Sequence, residues 1–113
     1  MTRPTLAAAL AVLALAGCAG QTATQSQATG VYAVEGAYDA AAVAERNYIT
    51  GTFGTPSAAV VAKMKAADNA AYNLVVQLRT DAQAGKPIAQ TAIDVANAAV
   101  QQLVSINTAA GAK

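Results

Sequence analysis

The stretch that decides the fold runs from Thr55 to Pro87, "TPSAAVVAKMKAADNAAYNLVVQLRTDAQAGKP". Val60, Met64, Ala67, Ala71, Leu74 and Leu78 recur at spacings that alternate four and three, the seam of a helix written in heptads. Asn69, Asn73, Gln77 and Thr80 make a polar ridge opposite, and Val60-Val61 and Val75-Val76 fall within the apolar side. Thr55 is a suitable N-cap with Pro56 at the first helical position. Gly85 stands where a helix wants a left-handed residue after its last turn, and Lys86-Pro87 restarts the chain. The pattern predicts a helix over about residues 56–84.

Working outward, Ala89, Ile93, Ala96, Val100 and Leu103 form a second stripe, flanked by Ile88, Val95 and Ile106. Asp94, Asn97, Gln101, Ser105 and Thr108 are its polar side, and Gly111 closes it. This predicts a helix over about 87–109, folded back on its predecessor by the short Gly-Lys-Pro connection. Upstream, Val34, Ala37, Ala41, Ala44 and Tyr48 mark one face of a helix over about 36–50, ended by Gly51 and Gly54 on either side of Phe53. The expected fold of residues 31–113 is all-α: a small alanine-rich three-helix bundle, with the first helix packed across a helical hairpin. Alanine in the seams lets helices approach closely. With so few large side chains, such a core is either marginally stable or shared with another copy or partner. The seam Val60, Met64, Ala67, Ala71, Leu74 and Leu78 is therefore the candidate interaction surface.

Residues 20–30, "GQTATQSQATG", carry no charge, no large side chain and no apolar period. Such a composition offers little to offset the entropy of an ordered backbone, and reads as a flexible tether with a mean reach of about 18 Å. Ahead of it, Met1-Thr2-Arg3 is a short basic start, and Leu6 to Ala16 is an apolar run. The run is too short for a membrane span of roughly 20 residues but fits the core of a secretory signal. It ends in Leu15-Ala16-Gly17-Cys18, and Cys18 is the only cysteine in the chain.

Those four residues resemble the lipobox of bacterial lipoproteins. The resemblance implies that Leu15, Ala16 and Gly17 are read by a signal peptidase, that Cys18 receives a diacylglyceryl group on sulfur, and that cleavage leaves residues 18–113. Two or more acyl chains, each methylene contributing about 0.8 kcal/mol, make such an anchor stable. Ala19 follows the cysteine where an aspartate tends to retain Gram-negative lipoproteins at the inner membrane. The expected location is thus the cell envelope, on the periplasmic face of the outer membrane if the host is Gram-negative.

Catalytic chemistry has little to work with. The chain has no histidine, one cysteine and six acidic residues, and shows no phosphate loop, nucleophile elbow or metal-ligand spacing. No enzyme activity, cofactor or metal is expected. A net charge of +1 with 12% charged residues offers no basic patch for nucleic acid. Glu35 and Asp39 are expected near the start of the first helix, where they complement its dipole, and Lys65 with Asp68 is expected as a surface ion pair. Asp94 is read as solvated.

The reading is a lipid-anchored envelope protein with a structural or protein-interaction role, alone or as a homo-oligomer. The alternative is a small-ligand module whose site would be lined by Tyr38, Tyr48, Met64 and Tyr72. A phage-encoded envelope lipoprotein acting in exclusion or lysis is a further alternative. The end of the chain, "AAGAK", resembles the major outer-membrane lipoprotein of enteric bacteria, whose terminal lysine is joined to peptidoglycan. That family is one continuous coiled coil, whereas this chain is broken at Gly54 and Gly85, which argues against linkage through Lys113. From Gly36 onward the chain resembles small helical proteins of bacteria and prophages, a likeness that implies no site residue.

Overall fold

A computed structural model describes residues 23–113, with side chains from Gln27 onward. It is an all-α three-helix bundle: α1 (Ala23–Ile49), α2 (Ala58–Gln83) and α3 (Gln90–Ala109), with no strand among the described residues. Each helix packs on both others. Glu35 faces Arg79 and Tyr48 meets Ser57, so α1 runs antiparallel to α2. Gly30 lies by Ile93 and Ala41 by Asn107, so α1 runs parallel to α3.

The largest departure from expectation is the start of α1. The stretch read as a tether is helical from Ala23, thirteen residues before the expected start at 36. Val31 and Val34 are buried in the main core cluster, and the Ile88 backbone N–H donates to Gln27 Oε1 at 3.2 Å. Tertiary contact on a few residues outweighs the weak helical tendency of a polar segment. The true seam of α1 is Gln27, Val31, Val34, Tyr38, Ala41, Glu45 and Tyr48, a four–three alternation that runs back through the supposed tether. Instead of crossing the hairpin, α1 lies alongside it from Gln27 to Tyr48.

The hairpin follows the sequence more closely. In α2, Met64, Ala67, Ala71, Val75 and Leu78 are buried, with Val75 taking the place expected of Leu74, which is half-buried. In α3, Ile93, Ala96, Val100 and Leu103 are buried as expected, while Val95 is largely exposed. The N-cap of α2 is Ser57, not Thr55: its side chain accepts from Val60 N–H, and Pro56 precedes the helix. After α2, Gly85 adopts φ +69°, its N–H donates to Ala82 O, and Lys86 N–H donates to Asp81 O. This paired Schellman closure needs a left-handed residue, which glycine adopts without Cβ strain. The same pair of bonds ends α1 at Gly51 and α3 at Gly111.

Burial of apolar side chains is concentrated at one end. Val31, Val34, Val75, Leu78, Ile88 and Ile93 cluster near the α2–α3 turn. Toward the other end the core is made of Ala41, Met64, Ala67 and Leu103, and two polar residues, Glu45 and Asn107, occupy heptad core positions.

Candidate functional site

The end of the core away from the α2–α3 turn is where polar chemistry gathers. Tyr38, Ala42, Glu45, Arg46 and Ile49 lie along one side of α1, and with Asp68 of α2 they line an open cleft of about 250 Å³. Tyr38 reaches across the helix pair and donates its hydroxyl to Asp68 Oδ1 at 2.8 Å. Its ring lies 6.1 Å from that of Tyr72, tilted by 48°, within the range of favourable aromatic pairs. Burial, the bond to Asp68 and the neighbouring negative charges hold the Tyr38 phenol protonated far above its ordinary range.

Glu45 is only 6% exposed, yet none of the side-chain hydrogen bonds or ion pairs found among the described residues involves it. Burial, and then the charge of Asp68, push its carboxyl above the usual carboxylate value, while Lys65 pulls in the opposite direction. A titratable group perturbed by desolvation in a cleft is a mark of functional sites. The cleft therefore offers acceptors, an aromatic ring and an apolar wall formed by Ala42 and Ile49. Its acceptors suit a hydrogen-bond donor or a cation.

A second cleft, of about 390 Å³, lies at the opposite end between α2 and α3. Leu74, Leu78, Pro87, Ile88, Ala92 and Val95 give it an apolar lining. Through Gln27 and Ile88 this end also carries the N-terminal end of α1. A third groove, bounded mostly by alanines of α1 and by Val104 and Asn107 of α3, has one buried acceptor without a partner, Asn107 Oδ1.

The expected residues are distributed differently from their expected roles. Leu15, Ala16, Gly17 and Cys18 lie outside the described residues. Of the candidate interaction seam, Met64, Ala67, Ala71 and Leu78 are buried against the chain's own helices, so they offer no surface to a partner. Val60 and Leu74 are half-buried. The four-residue ligand site does not assemble: Met64 is fully enclosed, Tyr48 accepts from Ser57 N–H at 3.0 Å in the α1–α2 connection, and only Tyr38 and Tyr72 meet. Glu35 is in the middle of α1, where no dipole acts on it, and forms an ion pair with Arg79. Asp68 bonds Tyr38 and makes no ion pair with Lys65. Asp94 is exposed and accepts from Gln90. Lys113 is exposed and accepts a bond from Asn47 at its backbone oxygen.

Glu45 and Asn107 escaped the sequence reading. Both carried a signal: Glu45 is four residues after Ala41, and Asn107 four after Leu103, so each continues a core period with a polar residue.

No family model, curated protein or solved structure matches the chain. Among the described residues, no helix is long and apolar enough to cross a membrane, and no group of three or more acidic, His or Cys side chains is placed to hold a metal ion.

Proposed function

We propose that this is a lipid-anchored protein of the bacterial cell envelope, with residues 1–17 as its signal peptide, Cys18 as the lipidated residue and the three-helix domain as a non-catalytic structural or interaction module. The observation that carries this reading is the sequence from Met1 to Cys18: a basic start, an apolar run of signal length and Leu-Ala-Gly-Cys at its end. Ala19 after the cysteine supports the outer membrane in a Gram-negative host. The long α1 alters what the anchor does. Only residues 19–22 separate Cys18 from the helix, a reach of less than about 20 Å even when fully extended. The anchor then holds the α2–α3 turn, with Lys86 and the apolar cleft beside Ile88, close to the lipid headgroups.

Mass spectrometry of the mature N-terminus tests this reading. The expected species starts at Cys18 and carries a diacylglyceryl mass, and Cys18→Ser moves the protein out of the membrane fraction. A chain that retains Met1, or a serine variant that stays membrane-bound, rules out the anchor. The ligand-module reading draws its support from the cleft over Glu45, not from the tyrosine set first expected.

A further inference from the structure

We infer that the cleft over Glu45 is a binding site for a small primary ammonium ion with an aliphatic stem. The starting point is the position of Glu45 in the period of α1. Val31, Val34, Tyr38 and Ala41 turn inward at alternating intervals of three and four, and Glu45 is the next residue in that series. Glu45 as a whole residue is only 6% exposed, none of the hydrogen bonds or ion pairs among the described residues involves it, and its carboxylate oxygens are open to the cleft and not sealed inside the core. A carboxylate that is mostly desolvated and has no partner loses hydration without recovering it in a hydrogen bond, and a cationic partner in the cleft restores that loss. The cleft lies where such a partner can reach it.

The walls indicate the partner's chemistry. Glu45 and Asp68 present acceptors from the two helices, and Tyr38 lines the same cleft with its hydroxyl already given to Asp68. An ammonium group, with three donors and one positive charge, satisfies acceptors arranged in this way. Ala42 and Ile49 complete the cleft with apolar surface that matches a short alkyl stem. A divalent metal fits less well, because two carboxylates fall short of the six or more oxygens that calcium or magnesium takes, and no third ligating side chain joins them. An anion meets Glu45 unfavourably. The protein's own cations leave the place open: Arg46 lines the cleft but is exposed and pairs with neither carboxylate, and Lys65 acts on Glu45 through its charge without an ion pair. The site does not depend on the lipid anchor, so the two readings stand or fall separately.

The test is a titration of the complete, isotope-labelled chain with n-butylammonium chloride, followed by backbone amide NMR, with n-butanol and sodium butyrate as isosteric controls. The expected result is a saturating shift confined to residues 38–49 and 65–72, absent with butanol and butyrate. Glu45→Gln weakens binding by about tenfold or more, the loss that accompanies a charge-assisted hydrogen bond. Ala42→Leu fills the cleft without touching either carboxylate and weakens binding similarly, so the proposal stays testable if the Gln variant folds poorly. No saturating shift, an equal response to butanol, or unchanged affinity in Ala42→Leu overturns it.

Discussion

Replacing Gly36 and Gly30 by alanine separates a helix that begins at Ala23 from a tether that ends at Gly30. Both glycines lie within α1, at ordinary helical backbone angles. In a helix interior, glycine costs about 0.8–1 kcal/mol relative to alanine, through unfolded-state entropy and exposed backbone. A Cβ built on Gly36 meets nothing within 4 Å, so Gly36→Ala should stabilise the fold by that full amount. A Cβ on Gly30 lands 3.4 Å from Ile93 Cδ1 and 3.6 Å from its Cγ2, which is ordinary van der Waals contact. Gly30→Ala should therefore gain the same propensity term plus a little apolar contact with α3. For a domain of this size, 1 kcal/mol moves Tm by about 4–8 °C, and the urea midpoint rises without a change in slope. Far-UV circular dichroism of thermal and urea unfolding measures both. If Gly30 were in a solvated tether, its alanine variant would unfold with the wild type, because a residue disordered in both states contributes nothing to their difference. Equal midpoints for wild type and Gly30→Ala would refute the long α1. A loss of stability at Gly30, with a gain at Gly36, would instead show that Ile93 cannot yield the space.

Val31→Ala removes two methyl groups from a side chain that is 1% exposed; at about 0.8 kcal/mol per carbon plus a small cavity, the loss is roughly 2 kcal/mol, read from the urea midpoint. Leu103→Ala, at the other end of the core, should cost about 2–5 kcal/mol, and a loss under about 1 kcal/mol would mean that the α3 seam is not closed by α1 and α2. Glu45 holds its proton above the ordinary carboxylate value of 4.5, so the folded chain binds that proton more tightly than the unfolded one; its contribution to stability is present below pH 4.5 and is lost as pH rises through the raised value. Glu45→Gln should flatten that fall, leaving the variant more stable than wild type at neutral pH, and parallel stability–pH curves would sink the assignment. Asn107→Leu removes a buried acceptor that has no partner and adds apolar surface beside a groove with room for it, but also removes the Nδ2 bond to Ala41 O; a gain of about 1 kcal/mol in the urea midpoint is expected if the orphaned Oδ1 costs more than that bond contributes, and a loss would show that the bond to α1 dominates.

The hairpin was legible because its signals are local and agree with one another. Gly85 closes α2 where the apolar period ends, and the stripe Ile93, Ala96, Val100 and Leu103 is unbroken. The first helix was hidden for a physical reason. Its N-terminal turns are held by a glutamine side chain bonding the Ile88 N–H and by two valines, with mostly small or polar residues elsewhere. A search for large apolar residues stops at Val34, although Val31 already continues the period. Glu35 was misplaced as a consequence: with the start of the helix set too late, a mid-helix residue paired with Arg79 looked like a dipole residue in the first turn. The tyrosines illustrate a different limit. Spacing places Tyr38 and Tyr48 on one side of α1, but only the packed structure shows that Tyr38 is directed to Asp68 and Tyr48 to the α2 N-cap.

The two polar residues at core positions connect stability to function. Local rules place apolar side chains at positions 45 and 107, and the same rules hold at Val31, Val75, Ile93 and Val100 near the opposite end. Departures of this kind concentrate where a fold gives up stability for another property. Asn107 has a structural use: its Nδ2 donates to Ala41 O at 2.9 Å and ties α3 to α1 at this level. In helical seams, a buried polar residue of this kind fixes register at a cost in stability. Glu45 makes no such bond, so register does not account for it. It faces a cleft with a second carboxylate and a tyrosine already bonded to that carboxylate, and nothing among the described residues pairs with it. A domain this small, carrying an unpartnered and largely desolvated carboxylate, gains most from a ligand that supplies the missing charge. Ligand binding and stability at that end should therefore rise together, by mass action, as the ammonium concentration passes its dissociation constant.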